Sequence, residues 1–177
     1  ANVGTNPVIF PIGRNPYLPI IIDDGSGEEF SVGVRDLIYL DPEALTDEQS
    51  KEAVSETWYV QAGTAVNNVS ITIGWDPAQE MSGFNSASCF ISYWEEGVST
   101  KWTASGLEMS TSENGTKYRQ ITIPSMSTNR YFFAVGSGNS ALPVEFLFFD
   151  AKALSNKIEL TWATATETNN NYFEIQR

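Results

Sequence analysis

At 177 residues the chain is long enough for one domain and part of a second, and its 41% hydrophobic content is sufficient for a core. A net charge of −12 and the absence of histidine set early limits. Scattered lysines and arginines in so acidic a chain speak against nucleic acid and anionic membranes as partners, and zero histidine removes Ser-His-Asp, Cys-His and His-ligated zinc chemistry. No apolar run approaches the roughly 18 residues of a membrane span, so no membrane insertion is expected.

The chain opens on Ala1 rather than Met, which reads as a processed or internal start. Strand-like runs rich in Val, Ile, Thr, Tyr, Phe and Trp then alternate with Gly, Asn, Asp and Pro. They cover residues 17–23, 29–36, 56–62, 69–75, 88–94, 100–104, 118–124 and 130–136. Such a series predicts an all-β fold, an antiparallel β-sandwich of jelly-roll or immunoglobulin-like type, over residues 1–140.

Between the first two runs, "DDGSGEE" (23–29) reads as a hairpin loop. Its carboxylates, Asp23, Asp24, Glu28 and Glu29, make Ca²⁺ a candidate ion, against the plainer reading of a solvated acidic turn. The spacing fits no EF-hand, and no other cofactor or metal is expected. "LDPEALTDEQSKEAVSE" (40–56) is polar and helix-friendly. Asp41 with Pro42 has the pattern of a capped turn, and Thr46 with Gln49 has capping-box spacing, so one or two helical turns are expected in a long loop.

Cys89 is the single cysteine, so no intramolecular disulfide is expected. In "ASCFISYW" it reads as a buried small hydrophobe without a base to activate it. Glu95 and Glu96 are adjacent carboxylates, but neighbours on a strand point to opposite faces and do not converge on a glycosidic bond. Trp58, Trp75, Trp94, Trp102 and Trp162 all lie in strand-like runs and are expected to be mostly core, with sugar stacking as the alternative use. Asn68 and Asn114 match the glycosylation pattern, a chance-level match in a chain rich in Ser, Thr and Asn.

"GSGNSA" (136–141) reads as a short linker. Three further strands are expected over 143–153, 157–166 and 171–177. The tail "LPVEFLFFDAKALSNKIELTWATATETNNNYFEIQR" resembles the start of the fibronectin type III-like module near the C-terminus of type IX-secreted surface proteins of Bacteroidota. Leu142 to Glu145, Trp162 to Asn170 and Phe173 to Arg177 carry that resemblance. Phe10 to Gly13, Tyr17 to Pro19, and the segments around Trp58, Trp75 and Trp102 look like the β-sandwich that often precedes it. The resemblance implies a secreted, extracellular cell-surface protein, divided into a sandwich over 1–140 and a partial type III-like segment over 141–177.

That segment holds three strands, where a sandwich of its class has about seven. Its apolar residues Leu142, Val144, Phe146, Leu147, Phe148, Phe149, Ile158, Leu160, Trp162, Phe173 and Ile175 need a cover. The expectation is a non-enzymatic structural or adhesive protein, a filament or fibre subunit whose C-terminal tail donates strands to other copies of itself. The alternative is a carbohydrate-binding module, with surface glycans as partners, or a stalk module of a larger secreted protein.

Overall fold

A computed structural model describes residues 1–13, 15–48, 52–137, 146–153 and 158–164. The chain divides into two compact units, Ala1–Gly138 and Asn139–Arg177. The first unit is an antiparallel β-sandwich.

One sheet has six strands: β1 (Asn2–Val3), β4 (Glu28–Asp36), β7 (Glu56–Ala62), β13 (Arg130–Ser137), β9 (Cys89–Glu95) and β10 (Thr103–Ala104), in that spatial order. The other has five: β11 (Thr111–Glu113), β12 (Thr116–Met126), β8 (Val66–Trp75), β3 (Ile20–Asp23) and β2 (Val8–Phe10). Period-2 alternation supplies the facing surfaces. Trp58, Val60, Tyr131, Phe133, Val135 and Ile91 from the six-stranded sheet join Ile20, Ile22, Val69, Ile71, Ile73, Trp75 and Ile123 from the five-stranded one in a single buried cluster. All eight runs expected in this region contain strands, although that over 100–104 shrinks to Thr103–Ala104.

Segment 40–56 departs from expectation. Among the described residues it contains no helix. β5 (Tyr39–Asp41) and β6 (Thr46–Glu48) pair as a hairpin, so Thr46 is a strand residue and not a cap. Asp41 does cap a turn: its Oδ1 accepts from the amides of Glu43 and Ala44 at 2.8 and 2.9 Å. Leu45 then takes a positive φ of 56° and ends the turn after one i→i+4 bond to Asp41 O. Gln49 lies outside the described residues. The reason for the strand outcome lies on the outer face of the six-stranded sheet, which carries Trp94, Phe132 and Arg35. The hairpin caps this face: Glu43 Oε1 accepts from Trp94 Nε1 at 2.6 Å, and Trp102 Nε1 donates to the carbonyls of Tyr39 and Leu40.

The acidic loop 23–29 is not a hairpin. It carries the chain from β3 in one sheet to β4 in the other. Asp24, Ser26 and Gly27 have positive φ, which turns the backbone out of one layer and into the next. The arch is tied down by β1: Gly25 N donates to Gly4 O and Gly27 N to Val3 O. A Cβ on Gly25 would meet Val3 at 2.7 Å, so the arch requires glycine there.

The linker reading of 136–141 also changes. Gly136 and Ser137 belong to β13, and Ser137 Oγ accepts from Asn85 N at 2.7 Å. Residues 138–141 lie outside the described residues.

The second unit holds a hairpin of β14 (Phe146–Ala153) and β15 (Ile158–Thr164). The strand expected over 171–177, with Phe173 and Ile175, lies outside the described residues, as do Leu142 and Val144.

Candidate assembly surface

The β14–β15 register sorts the hairpin's side chains into two faces. Phe149 lies opposite Trp162, Ala151 opposite Leu160, and Ala153 opposite Ile158. These pairs share one face, so it is apolar. Asp150 opposite Thr161 and Lys152 opposite Glu159 lie on the other, with Phe148 opposite Ala163 the apolar exception. A register shift between Phe146 and Phe148 marks a bulge that separates Phe146 from this alternation.

The apolar face is partly covered, with Leu160 and Trp162 half-buried. Phe149 is 59% exposed and Ile158 70%, with Phe148 at 50% on the reverse side. Phe149 and Trp162 shield each other by stacking, with ring centroids 6.4 Å apart. Among the described residues no further strand pairs with either edge of this hairpin, and a two-stranded hairpin is marginal in water by itself. Of the residues expected to mediate assembly, Phe149, Leu160, Trp162 and Ile158 come together on one face. Phe148 faces away from them, and for Phe146 and Leu147 the structure gives the strand position only.

The sandwich itself has two open sides, and they differ. On the side of β12, Arg119 closes the gap between the sheets. It is 7% exposed and donates to Gln120 O at 2.9 Å on its own strand. It reaches Gly106 O at 3.0 Å and Cys89 O at 3.4 Å on the opposing side. Its Nη1 also lies 2.8 Å from Glu108 Oε2. A shallow groove of about 410 Å³ runs here, lined by Ser105, Gly106, Glu108 and residues 119–122. Pro124 further blunts this edge, since a proline has no N–H to offer an incoming strand. Arg119 and its seal were not anticipated; an Arg at an inward position of an alternating strand, "YRQITIP", was the available signal.

On the other side, β1 pairs with β4 only at Glu28 and Glu29, and Phe30 N donates to Ala1 O. Among the described residues no strand lies beside β4 beyond Phe30. β2 is likewise the last strand of its sheet. Val8, Phe10, Ile12, Val32 and Val34 pack against the core here yet remain half-buried.

The other candidate residues resolve simply. Cys89 is fully buried, its thiol pushed up by burial despite the nearby Arg119 charge, and Sγ donates to Glu108 O at 3.4 Å. It is a packing residue. Glu95 Oε1 accepts from Ser127 Oγ and Asn129 Nδ2, whereas Glu96 faces Arg130 at 3.6 Å. The two carboxylates serve separate structural contacts. Four of the five indoles, Trp58, Trp75, Trp94 and Trp102, are buried and present no face to a sugar. Among the described residues no three His, Cys, Asp or Glu side chains group closely enough to hold a metal, the 23–29 loop included. Asn68 and Asn114 are both exposed and both have positive φ.

No family model, no curated protein and no solved structure matches the chain.

Proposed function

We propose that the chain is a non-enzymatic structural or adhesive module of an extracellular surface, a fibre or filament subunit that assembles when the strands of its C-terminal segment pair with another copy. The observation that carries this reading is the apolar surface of the β14–β15 hairpin, where Ile158 is 70% exposed on one face and Phe148 50% on the other. Covering a large apolar side chain gains about 1.5–3 kcal/mol, so this surface supplies a substantial driving force for association. Among the described residues neither edge of the hairpin has a further partner strand, and an edge of that kind accepts a strand through its backbone hydrogen bonds. The acidic surface is compatible with a soluble extracellular setting and keeps other faces of like copies apart.

The test is molar mass by light scattering across a concentration series, comparing the full chain with one ending at Ser140. The full chain is expected to grow in mass with concentration while the shortened one stays monomeric. A full chain that remains monomeric at high concentration refutes the proposal.

A further inference from the structure

Independently of assembly, we propose that Arg35 and Arg130 form an oxyanion-binding site on the outer face of the six-stranded sheet, one that takes a carboxylate or sulfate group between two guanidiniums seated on aromatic rings.

The strand register brings the parts together. Gly33 lies opposite Tyr59, and Tyr59 opposite Phe132. Arg35 and Arg130 lie two positions from Gly33 and Phe132 along their strands, and so share this face. The Arg130 guanidinium sits 5.4 Å from the Tyr59 ring centroid. That of Arg35 sits 4.8 Å from the Phe132 centroid and 5.8 Å from that of Tyr39. A ring engages the face of a guanidinium and leaves the N–H groups around its rim to other partners.

Few of those donors are used. Arg35 Nη2 donates to Pro42 O at 2.7 Å, which ties it to the β5–β6 turn. Arg130 Nη1 has Glu96 Oε1 at 3.6 Å, an ion pair too long to be a hydrogen bond. The Nε groups of Arg35 and Arg130 are both buried, and neither has an acceptor among the described residues. A buried donor without an acceptor is costly, most of all on a charged group.

The distribution of charge points the same way. With 22 carboxylates against 10 lysines and arginines, a separate acidic partner for each arginine would be easy to supply. Lys117 and Arg119 have theirs in Glu80 and Glu108, each at 2.8 Å. Arg35 and Arg130 instead act on each other: burial is the main cause that lowers the Arg35 pKa, Tyr39 opposes it, and the Arg130 charge lowers it further. Glu43, in the turn of the covering hairpin, is engaged by Trp94 and Gly97. An oxyanion would relieve the repulsion between the two guanidiniums and accept from both, in the planar geometry that arginine favours. The Arg130 side chain is 42% exposed, so such a group can approach from solvent.

The test is isothermal titration calorimetry of the full chain at constant ionic strength, with sodium glucuronate, sodium acetate and sodium sulfate as probes and methyl glucoside as the uncharged control. Saturable binding of the anions is expected, and none of methyl glucoside. Arg130→Gln should weaken binding by about tenfold or more, the loss of a charged hydrogen bond. Arg130→Lys should restore part of it, because the ammonium keeps the charge but not the fork. Glu96→Gln should tighten binding by up to about fivefold, since it removes a competing carboxylate. Glu113→Gln makes the same charge change on the other sheet and should leave affinity unaltered. If Arg130→Gln fails to fold by circular dichroism, Arg130→Lys and Glu96→Gln decide.

Glucuronate binding more tightly than acetate and sulfate would assign the site to an acidic sugar, and equal affinities would assign it to the oxyanion alone. The proposal is overturned if none of the three anions saturates, if methyl glucoside binds as well, or if Glu96→Gln and Glu113→Gln tighten binding equally.

Discussion

Replacing Arg119 with Met tests whether a single side chain holds the β12 side of the sandwich shut. Met keeps most of the aliphatic stem and its packing but loses every donor. The guanidinium donates to Gln120 O, Gly106 O and Cys89 O. Hydrogen bonds to a charged partner contribute roughly 1.5–3 kcal/mol each when the alternative is an unpaired buried group. That full value does not apply three times over. Cys89 O keeps a second partner in Glu108 N at 2.9 Å, and the groove admits water to Gly106 and Gln120. Glu108 has a 69% exposed side chain, so its ion pair with Arg119 adds only about 0–1 kcal/mol. The net expectation is a loss of about 2–3 kcal/mol for Arg119→Met, and below about 1 kcal/mol for Glu108→Gln. Urea unfolding followed by tryptophan fluorescence measures both, with the m-value expected to stay constant. Equal losses in the two variants would mean that the surface ion pair, not the carbonyl clasp, is what matters. A loss under about 0.5 kcal/mol in Arg119→Met would refute the clasp outright.

Glu56 is buried, with Oε1 accepting from Gln79 Nε2 at 2.7 Å and Oε2 unpaired. Burial is the main cause that raises its pKa, with Gln79 opposing and Asp36 adding to it. A raised carboxyl binds its proton more tightly when folded, so its contribution favours the fold at low pH and is lost as pH rises through the folded value. Glu56→Gln should therefore raise the melting temperature near neutral pH and lose that advantage as pH falls toward the ordinary carboxylate range; a pH-independent difference contradicts this. Gly33 lies under Tyr59, where an added Cβ would come within 2.2 Å of the ring. Gly33→Val should cost on the order of 2–3 kcal/mol by displacing that ring and the Arg130 guanidinium 5.4 Å above it, read by chemical denaturation. Glu43→Ala removes the acceptor for Trp94 Nε1 and Gly97 N, so Trp94 emission should shift to the red while the unfolding free energy falls by about 1 kcal/mol; an unchanged spectrum would show that the β5–β6 hairpin does not cover that face.

The long central strands were legible because their alternation is strong: 56–62 was read with its true bounds, and β8, β9, β12 and β13 within a few residues. Short edge strands were not. β1 and β2 hold two and three residues, too few for a period to show. β11 left a clearer trace in "SENGT": Asn114 and Gly115, at φ 50° and 85°, form the two-residue turn joining β11 to β12. In the sequence the same dipeptide lies inside a glycosylation pattern, which masks its turn signal. Which sheet a strand joins is not a local property, so the 23–29 loop read as a hairpin when it is an inter-sheet arch. Composition also misled over 40–56, where polar residues suggested helix but bare indole N–H groups of Trp94 and Trp102 drew the segment into a hairpin cover. Of the assembly surface, the apolar content was plain from sequence; the sorting of Phe149 from Phe148 needed the register.

The placement of β13 has a consequence for how the chain is made. β13 sits between β7 and β9 and pairs with both, Phe132 lying opposite Tyr59 on one side and Trp94 on the other. It is also the last strand of the sandwich to leave the ribosome. Until it emerges, the six-stranded sheet is two fragments with facing unpaired edges, and Trp58 has no wall on that side. Cooperative closure is therefore deferred to the final strand, and the rate at which residues 130–137 become available sets how long those edges remain open to a wrong partner.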